Sequence, residues 1–198
     1  MDGPLIGPHG GYRKLKAYQL AEIVYDGTVA FTALYLDRKS RTVDQMVQAA
    51  RSGKQNIAEG SRASGTSKKS ELKLVNVARA SLEELLLDYE DFLRQRGLNL
   101  WEKDDPKAVF ISKLRHSESA PYDTYRAYVE TKGAENAANT LVTLIHQANF
   151  LLDQLLRRLE RDFVAEGGFT EKLYQVRSRA RKDRSEGSGG SERSDGSA

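Results

Sequence analysis

The sequence contains no cysteine. Disulfides, thiolate metal sites and thiol nucleophiles are therefore excluded, and a reducing, cytoplasmic setting suits the chain. Proline occurs only 4 times, tryptophan once and histidine 3 times. No apolar run approaches the roughly 18 residues that a membrane-spanning helix needs. The first residues, MDGPLIGPHGG, lack a basic region followed by an apolar stretch, so no secretory signal is expected. Charge of one sign is also scarce in excess: the net charge is +3 although 30% of residues are charged. A mild basic balance permits a polyanionic partner without arguing for one. The distribution of the charge has to carry that case.

What is present is helical periodicity. The chain has 198 residues, enough for one domain with a core and tails. Residues 1–11 combine Pro4 and Pro8 with several glycines and read as a flexible arm. Residues 185–198, from Ser185 onward SEGSGGSERSDGSA, have nothing apolar to bury and read as a disordered tail. Between them, residues 12–165 read as an all-α domain, an antiparallel four-helix bundle, followed by a basic suffix over 166–184.

The first helix is expected from about Tyr12 to Leu36. There Ala17, Ala21, Val24, Thr28, Phe31 and Tyr35 recur in alternating steps of three and four. The second, near Thr42 to Gly60, repeats the stripe with Val43, Met46, Ala50, Gly53 and Ile57, and Gly60 reads as its left-handed stop. The third, near Lys68 to Arg96, places Val75, Ala78, Leu82, Leu85, Tyr89 and Phe92 on one face, with Gly97 ending it. The fourth, near Ala134 to Val164, carries two stripes. One is Leu141, Ile145, Ala148, Leu152, Leu155 and Leu159; the other is Ala137, Leu144 and Leu151. A helix apolar on two flanks needs cover on two flanks. That favours an oligomer, although a central position within one chain would serve equally. The segment 98–132 reads as a helical insertion before the last helix. Pro106 opens a short helix that turns Val109, Phe110 and Leu114 inward, and Tyr122, Tyr125 and Tyr128 form a further turn or two. Packing against the end of the bundle is favoured for this segment over a partner surface.

The residues exclude several chemistries. A di-iron bundle requires paired Glu-x-x-His motifs. Lys113 and Thr143 stand three residues before His116 and His146, so neither histidine belongs to one. The third-helix carboxylates Glu83, Glu84, Asp88, Glu90 and Asp91 therefore read as a solvated or ion-paired face. His146 reads as a core or interface residue hydrogen-bonded across a helix seam, without the nucleophile partner that catalysis needs. Gly60 and Gly65 lack the strand context of a phosphate-binding loop. No cofactor or metal ligand set emerges, and no enzyme is expected.

Two groups of polar residues remain. Asn56 lies beside Ile57 on the second helix and reads as a buried amide that fixes helix register. Glu59 is expected to pair with Arg51 or Arg79 or to meet exposed amides, and Ser81 to allow close helix approach. This structural reading is favoured over a ligand site. The second group is basic. Ser67 is a natural N-cap for the third helix, which puts Lys68 and Lys69 in a first turn where the macrodipole disfavours them. A phosphate would be attracted by both the lysines and the free amides, and exposed lysines that serve only solubility are the equal alternative. Arg51, Lys54 and Arg62 are close in sequence, and Arg13, Lys14 and Lys16 form another cluster. In the suffix, Gly167 and Gly168 stop the fourth helix and Phe169, Leu173 and Val176 form a short amphipathic helix. Arg177, Arg179, Arg181, Lys182 and Arg184 follow, opposed only by Asp183. This tract reads as a phosphate-binding arm, with packing over acidic helix faces as the alternative.

The stretch Asp44 to Gly60, DQMVQAARSGKQNIAEG, and the stretch Val77 to Leu93, VARASLEELLLDYEDFL, resemble the four-helix-bundle proteins encoded by intervening sequences of bacterial 23S rRNA genes. The Asn56–Gly60 run is similar to that family's hallmark. The EGGFTEKLYQVR run from Glu166 to Arg177 is closer to its subfamily with a four helix bundle suffix domain. The resemblance spans roughly 12–179. It implies a small helical bundle, usually a homo-oligomeric pentamer, without known catalysis. A related family, the accessory variability protein of diversity-generating retroelements, binds nucleic acid and a reverse transcriptase, so RNA, DNA and such an enzyme are the partners this resemblance implies. Two function classes follow: a non-enzymatic oligomeric scaffold that binds nucleic acid through phosphates, and an assembly module that never touches nucleic acid.

Overall fold

The computed structural model describes residues 10–114, 121–166, 173–174 and 176–182. The arm over 1–9, Gly167, Gly168, Phe169, Arg184 and the tail over 185–198 lie outside the described residues. Among the described residues every regular element is helical: α1 (Lys16–Tyr35), α2 (Arg41–Ala63), α3 (Lys68–Gln95), α4 (Pro106–Leu114), α5 (Asp123–Glu130) and α6 (Ala134–Glu166). A 3-10 turn over Tyr12–Lys14 precedes α1, so the first helix begins later than its apolar spacing suggests. None of these helices is long and apolar enough to cross a membrane.

The helix ends follow from local chemistry. Ser40 accepts from the Thr42 amide at 3.3 Å and opens α2, with Asp44 in its first turn. Ser67 accepts from the Ser70 amide at 3.1 Å and opens α3. Gly97, at φ +63°, closes α3: its amide donates to Arg94 O, and the Leu98 amide donates to Leu93 O at 2.9 Å. That pair of bonds is the Schellman arrangement, and the left-handed residue it requires is glycine here. Gly60 behaves otherwise. It is buried inside α2, which continues to Ala63, so it is no stop. A Cβ there would lie 3.3 Å from Val75 Cγ2 and 3.4 Å from Glu71 O, so its role is to let α2 and α3 approach.

The contacts between helices define their directions. Along α2 and α3, Gly53 faces Leu82 while Gly60 faces Val75. Along α3 and α6, Glu83 meets Asn149 and Arg79 meets Asp153. Along α1 and α2, Tyr25 lies under Lys54 and Tyr12 under Arg62. In each pair one number rises as the other falls, so neighbours run antiparallel. α1 and α3 run in the same sense, because Phe31 stacks edge-on against both Tyr89 and Phe92, at 4.9 and 4.8 Å between centroids, while Thr28 meets Tyr89.

The core of this helix-bundle-like domain joins Leu20, Val24 and Phe31 of α1, Met46 and Ile57 of α2, Leu82, Leu85 and Tyr89 of α3, and Leu141, Leu144, Ile145 and Leu152 of α6. Two of its polar members are paired with each other. Tyr89 Oη donates to Thr28 Oγ1 at 3.0 Å, and Thr28 Oγ1 donates to Val24 O at 2.7 Å.

The insertion packs on α6, and α5 also reaches α1, where Tyr35 Oη donates to Val129 O at 3.1 Å. Tyr125 and Val129 of α5 and Ala108 and Ile111 of α4 are buried. Phe110 is not turned inward; it is exposed, because Ile111 occupies the α6-facing position. With α1, α3, α4 and α5 around it, α6 has cover on both apolar flanks within one chain. The double stripe is thus explained by a central position and ceases to argue for an oligomer.

Candidate nucleic-acid interface

Antiparallel neighbours bring the start of α1, the end of α2, the start of α3 and the end of α6 to one end of the domain. The Gly10 amide donates to Ser61 O at 3.0 Å, and Arg62 Nη2 donates to Tyr12 Oη at 3.3 Å. The guanidinium groups of Arg13 and Arg62 lie 5.5 and 5.2 Å from the Tyr12 ring centroid, and Tyr18 meets that ring edge-on at 4.8 Å. Glu71 of α3 feels Lys68 of its own helix and Arg158 and Asp162 of α6. Burial raises the Glu71 carboxyl above its ordinary range, against the pull of those two cations and with the help of Asp162.

Exposed cations crowd this end: Arg13, Lys14 and Lys16 at α1, Arg62 at α2, Lys69 and Lys73 at α3, and Arg157, Arg158 and Arg161 at α6. Lys68 is half-buried beside them. Glu59, Glu71, Glu160 and Asp162 are interspersed, and the Arg158–Asp162 pair at 3.7 Å takes up one cation. An exposed pair of this kind contributes little to stability and leaves the guanidinium able to change partner. The sequence-stretch clusters Arg62–Lys69 and Arg13–Lys16 therefore form one patch. The α6 arginines belong to the same patch and were missed. The signal for them was the RRLER run at the end of a helix that returns antiparallel to α3.

Other candidate residues fall elsewhere. Arg51 is exposed on α2 but lies about three turns from Arg62, roughly 16 Å along the axis. Lys54 is half-buried with its ammonium 4.2 Å from the Tyr25 ring centroid. In the suffix, residues 176–182 are helical and exposed, which includes Arg177, Arg179, Arg181 and Lys182.

The polar motif is smaller than its spelling suggests. Asn56 is half-buried rather than buried, and its Nδ2 donates within its own helix, to Ser52 O at 2.9 Å and Ser52 Oγ at 3.1 Å. The link to α3 is made by Ser52 and Ser81, whose hydroxyl oxygens lie 2.9 Å apart. Ser81 is small and sits at the close approach, where its hydroxyl also donates to Val77 O. Glu59 is exposed, and Arg79 pairs with Asp153 instead of with it. His146 is exposed on α6, outside any seam.

A groove of about 380 Å³ lies between α2 and α3, lined by Asp44, Gln45, Gln48, Ala49, Ser52, Ser81 and Glu84. Its charged rim is acidic, the wrong sign for a phosphate. Just beyond Glu84, burial and the proximity of Glu84 and Asp91 raise the Asp88 carboxyl. Carboxylates thus flank the far half of α3, although Arg38, Lys39, Arg41, Arg94 and Arg96 are exposed at that end as well. Among the described residues no group of three or more His, Cys, Asp or Glu is arranged to hold a metal ion. No family model matches the chain, and no curated protein or solved structure matches it.

Proposed function

We propose that the chain is a non-enzymatic scaffold, an antiparallel four-helix bundle of the intervening-sequence type with a helical insertion and a suffix helix. It self-assembles, as a pentamer in the reading the resemblance supplies. It holds RNA or DNA by backbone phosphates and presents the strand to a partner enzyme such as a reverse transcriptase. The observation that carries the nucleic-acid part is the meeting of Arg13–Lys16, Arg62–Lys69 and Arg157–Arg161 at one end of the domain, with carboxylates flanking the far half. Phosphates are the handle: Tyr12, the ring within this patch, is already flanked by two guanidiniums.

The test is fluorescence anisotropy with mixed-sequence RNA and DNA across a salt series. Affinity should fall steeply with salt, by a logarithmic slope of about one for each duplex phosphate neutralised. The triple variant Arg62→Ala, Lys68→Ala, Lys69→Ala should flatten that slope by about 2–3, whereas Arg94→Ala at the far end should leave it unchanged. Absence of binding at low salt defeats this reading. The competing reading, an assembly module without nucleic acid, draws support from exposed Phe150 and Leu87.

A further inference from the structure

The outer side of the seam between α3 and α6 combines exposed apolar groups with an unanswered acceptor. Phe150 is 61% exposed and Leu87 57%. Asn149, immediately before Phe150, is only 7% exposed. Its Nδ2 donates to Glu83 Oε2 at 3.1 Å, and its Oδ1 has no hydrogen-bond partner among the described residues. Leu87 stands one turn beyond Glu83 on α3. A buried carbonyl oxygen left without a donor is costly, and the Glu83 carboxylate beside it adds a second acceptor. Two acceptors framed by apolar side chains match a guanidinium, whose planar fork donates from several N–H groups while its face and stem cover hydrocarbon.

The suffix carries the complementary groups. Tyr174 is 73% exposed and Val176 42%. Within the helical run 176–182, Arg177 and Arg181 are one turn apart on one face, exposed, and make no ion pair among the described residues. Arg179 and Lys182 point from other faces and are engaged. The suffix does not cover the seam of its own chain, since Tyr174 and residues 176–182 are exposed and so are Leu87 and Phe150.

We propose that the suffix of one copy docks on the α3–α6 seam of a second copy. Tyr174 covers Phe150 and Leu87, and the Arg177–Arg181 face donates to Glu83 and Asn149 Oδ1. The two surfaces differ, so the contact is heterologous: each chain offers one suffix and one seam, and copies join head to tail. The inference deepens the self-assembly part of the proposed function.

The experiment uses full-length chain freed of nucleic acid, with light scattering after size-exclusion chromatography at low salt. A seam variant carries Leu87→Ser and Phe150→Ser; a suffix variant carries Arg177→Gln and Arg181→Gln. All four side chains are exposed, so both variants should melt like the parent by circular dichroism. The parent should run as an assembly, and each variant alone should associate at least about tenfold more weakly and run as a monomer. An equimolar mixture should form a two-chain species, because the seam variant keeps a working suffix and the suffix variant keeps a working seam. A mixture that stays monomeric, or a variant that assembles like the parent, overturns this contact while self-assembly stands. A parent that is monomeric at high micromolar concentration overturns both, and leaves the phosphate-binding end to its own test.

Discussion

Gly53→Ala sets two opposed effects against each other at one atom. Alanine in a helix interior is favoured over glycine by about 1 kcal/mol. The added Cβ, however, would stand 2.7 Å from Leu82 Cδ2 and 2.8 Å from Leu82 Cγ. Carbon atoms in comfortable contact are about 3.5–4.0 Å apart. Because Cγ itself is too close, turning the end of the leucine cannot relieve the clash; the side chain must move from its root or α2 must retreat. Leu82 is fully buried, so it has nowhere to go. Overpacking of this kind costs about 1–3 kcal/mol, and it outweighs the propensity gain. At Gly60 the corresponding Cβ meets Val75 Cγ2 at 3.3 Å and Glu71 O at 3.4 Å, a misfit of a few tenths of an ångström at most.

The expected outcome is that Gly53→Ala loses about 1 kcal/mol net, the middle of the overpacking range less the propensity gain, and roughly 2–4 °C in Tm. Gly60→Ala, in the same helix and with the same propensity gain, should stay within about 0.5 kcal/mol of the parent. Urea unfolding followed by circular dichroism measures both. A double-mutant cycle sharpens the test: Leu82→Ala should cost less in the Gly53→Ala background, where the new methyl group fills part of the cavity. If Gly53→Ala is as stable as Gly60→Ala, the α2–α3 approach at Leu82 is looser than described and the role assigned to these glycines is refuted.

Two further predictions concern buried polar groups. Asn139 is 1% exposed; its Oδ1 accepts from the Trp101 amide at 2.7 Å and its Nδ2 donates to Asn99 O at 2.8 Å, pinning the insertion to α6. Asn139→Ala should therefore cost about 2–3 kcal/mol in chemical denaturation, and Asn56→Ala, whose bonds stay within one turn of α2, less than about 1 kcal/mol; the reverse order would restore Asn56 as the register-fixing amide. Burial raises the phenols of Tyr89 and Tyr122, the latter also through its hydrogen bond to Glu130. The unfolded chain ionises them near the ordinary value of about 10, so their contribution is intact below that pH and is lost as pH rises above it. Absorbance titration should show these two among the last of the 9 tyrosines to ionise, and Tyr89→Phe should reduce the alkaline loss of stability.

Periodicity was a sound guide where one face of a helix decided everything. The stripe of α3 is buried at every position, and that of α1 at all but half-buried Tyr35, although α1 packs on several neighbours and also buries Tyr18, Leu20, Ile23, Gly27 and Thr32. α6 was harder, since cover on a second flank comes equally well from another chain or from an insertion. Only the packing of α4 and α5 distinguishes the two. Asn56 and Asn139 make the same point for polar groups. Both sit in helical runs, and sequence favours whichever is embedded in a familiar spelling. What decides their weight is the loop that Asn139 alone can reach, which is a tertiary fact. The basic site was legible in pieces: Arg62, Lys68 and Lys69 stood out, yet nothing local separates them from Arg51 and Lys54. Direction does. Because α1, α2, α3 and α6 alternate in sense, the starts of α1 and α3 and the finishes of α2 and α6 share one end, so Arg13, Arg62, Lys69 and Arg158 converge although they lie far apart in the chain. Arg51 is left along the shaft. The partition is open to measurement: Arg158→Ala should weaken phosphate binding as much as Lys69→Ala does, and Arg51→Ala should not. Equal losses at Arg51 and Arg158 would mean that charge anywhere on the surface suffices, and that the end of the domain is no site.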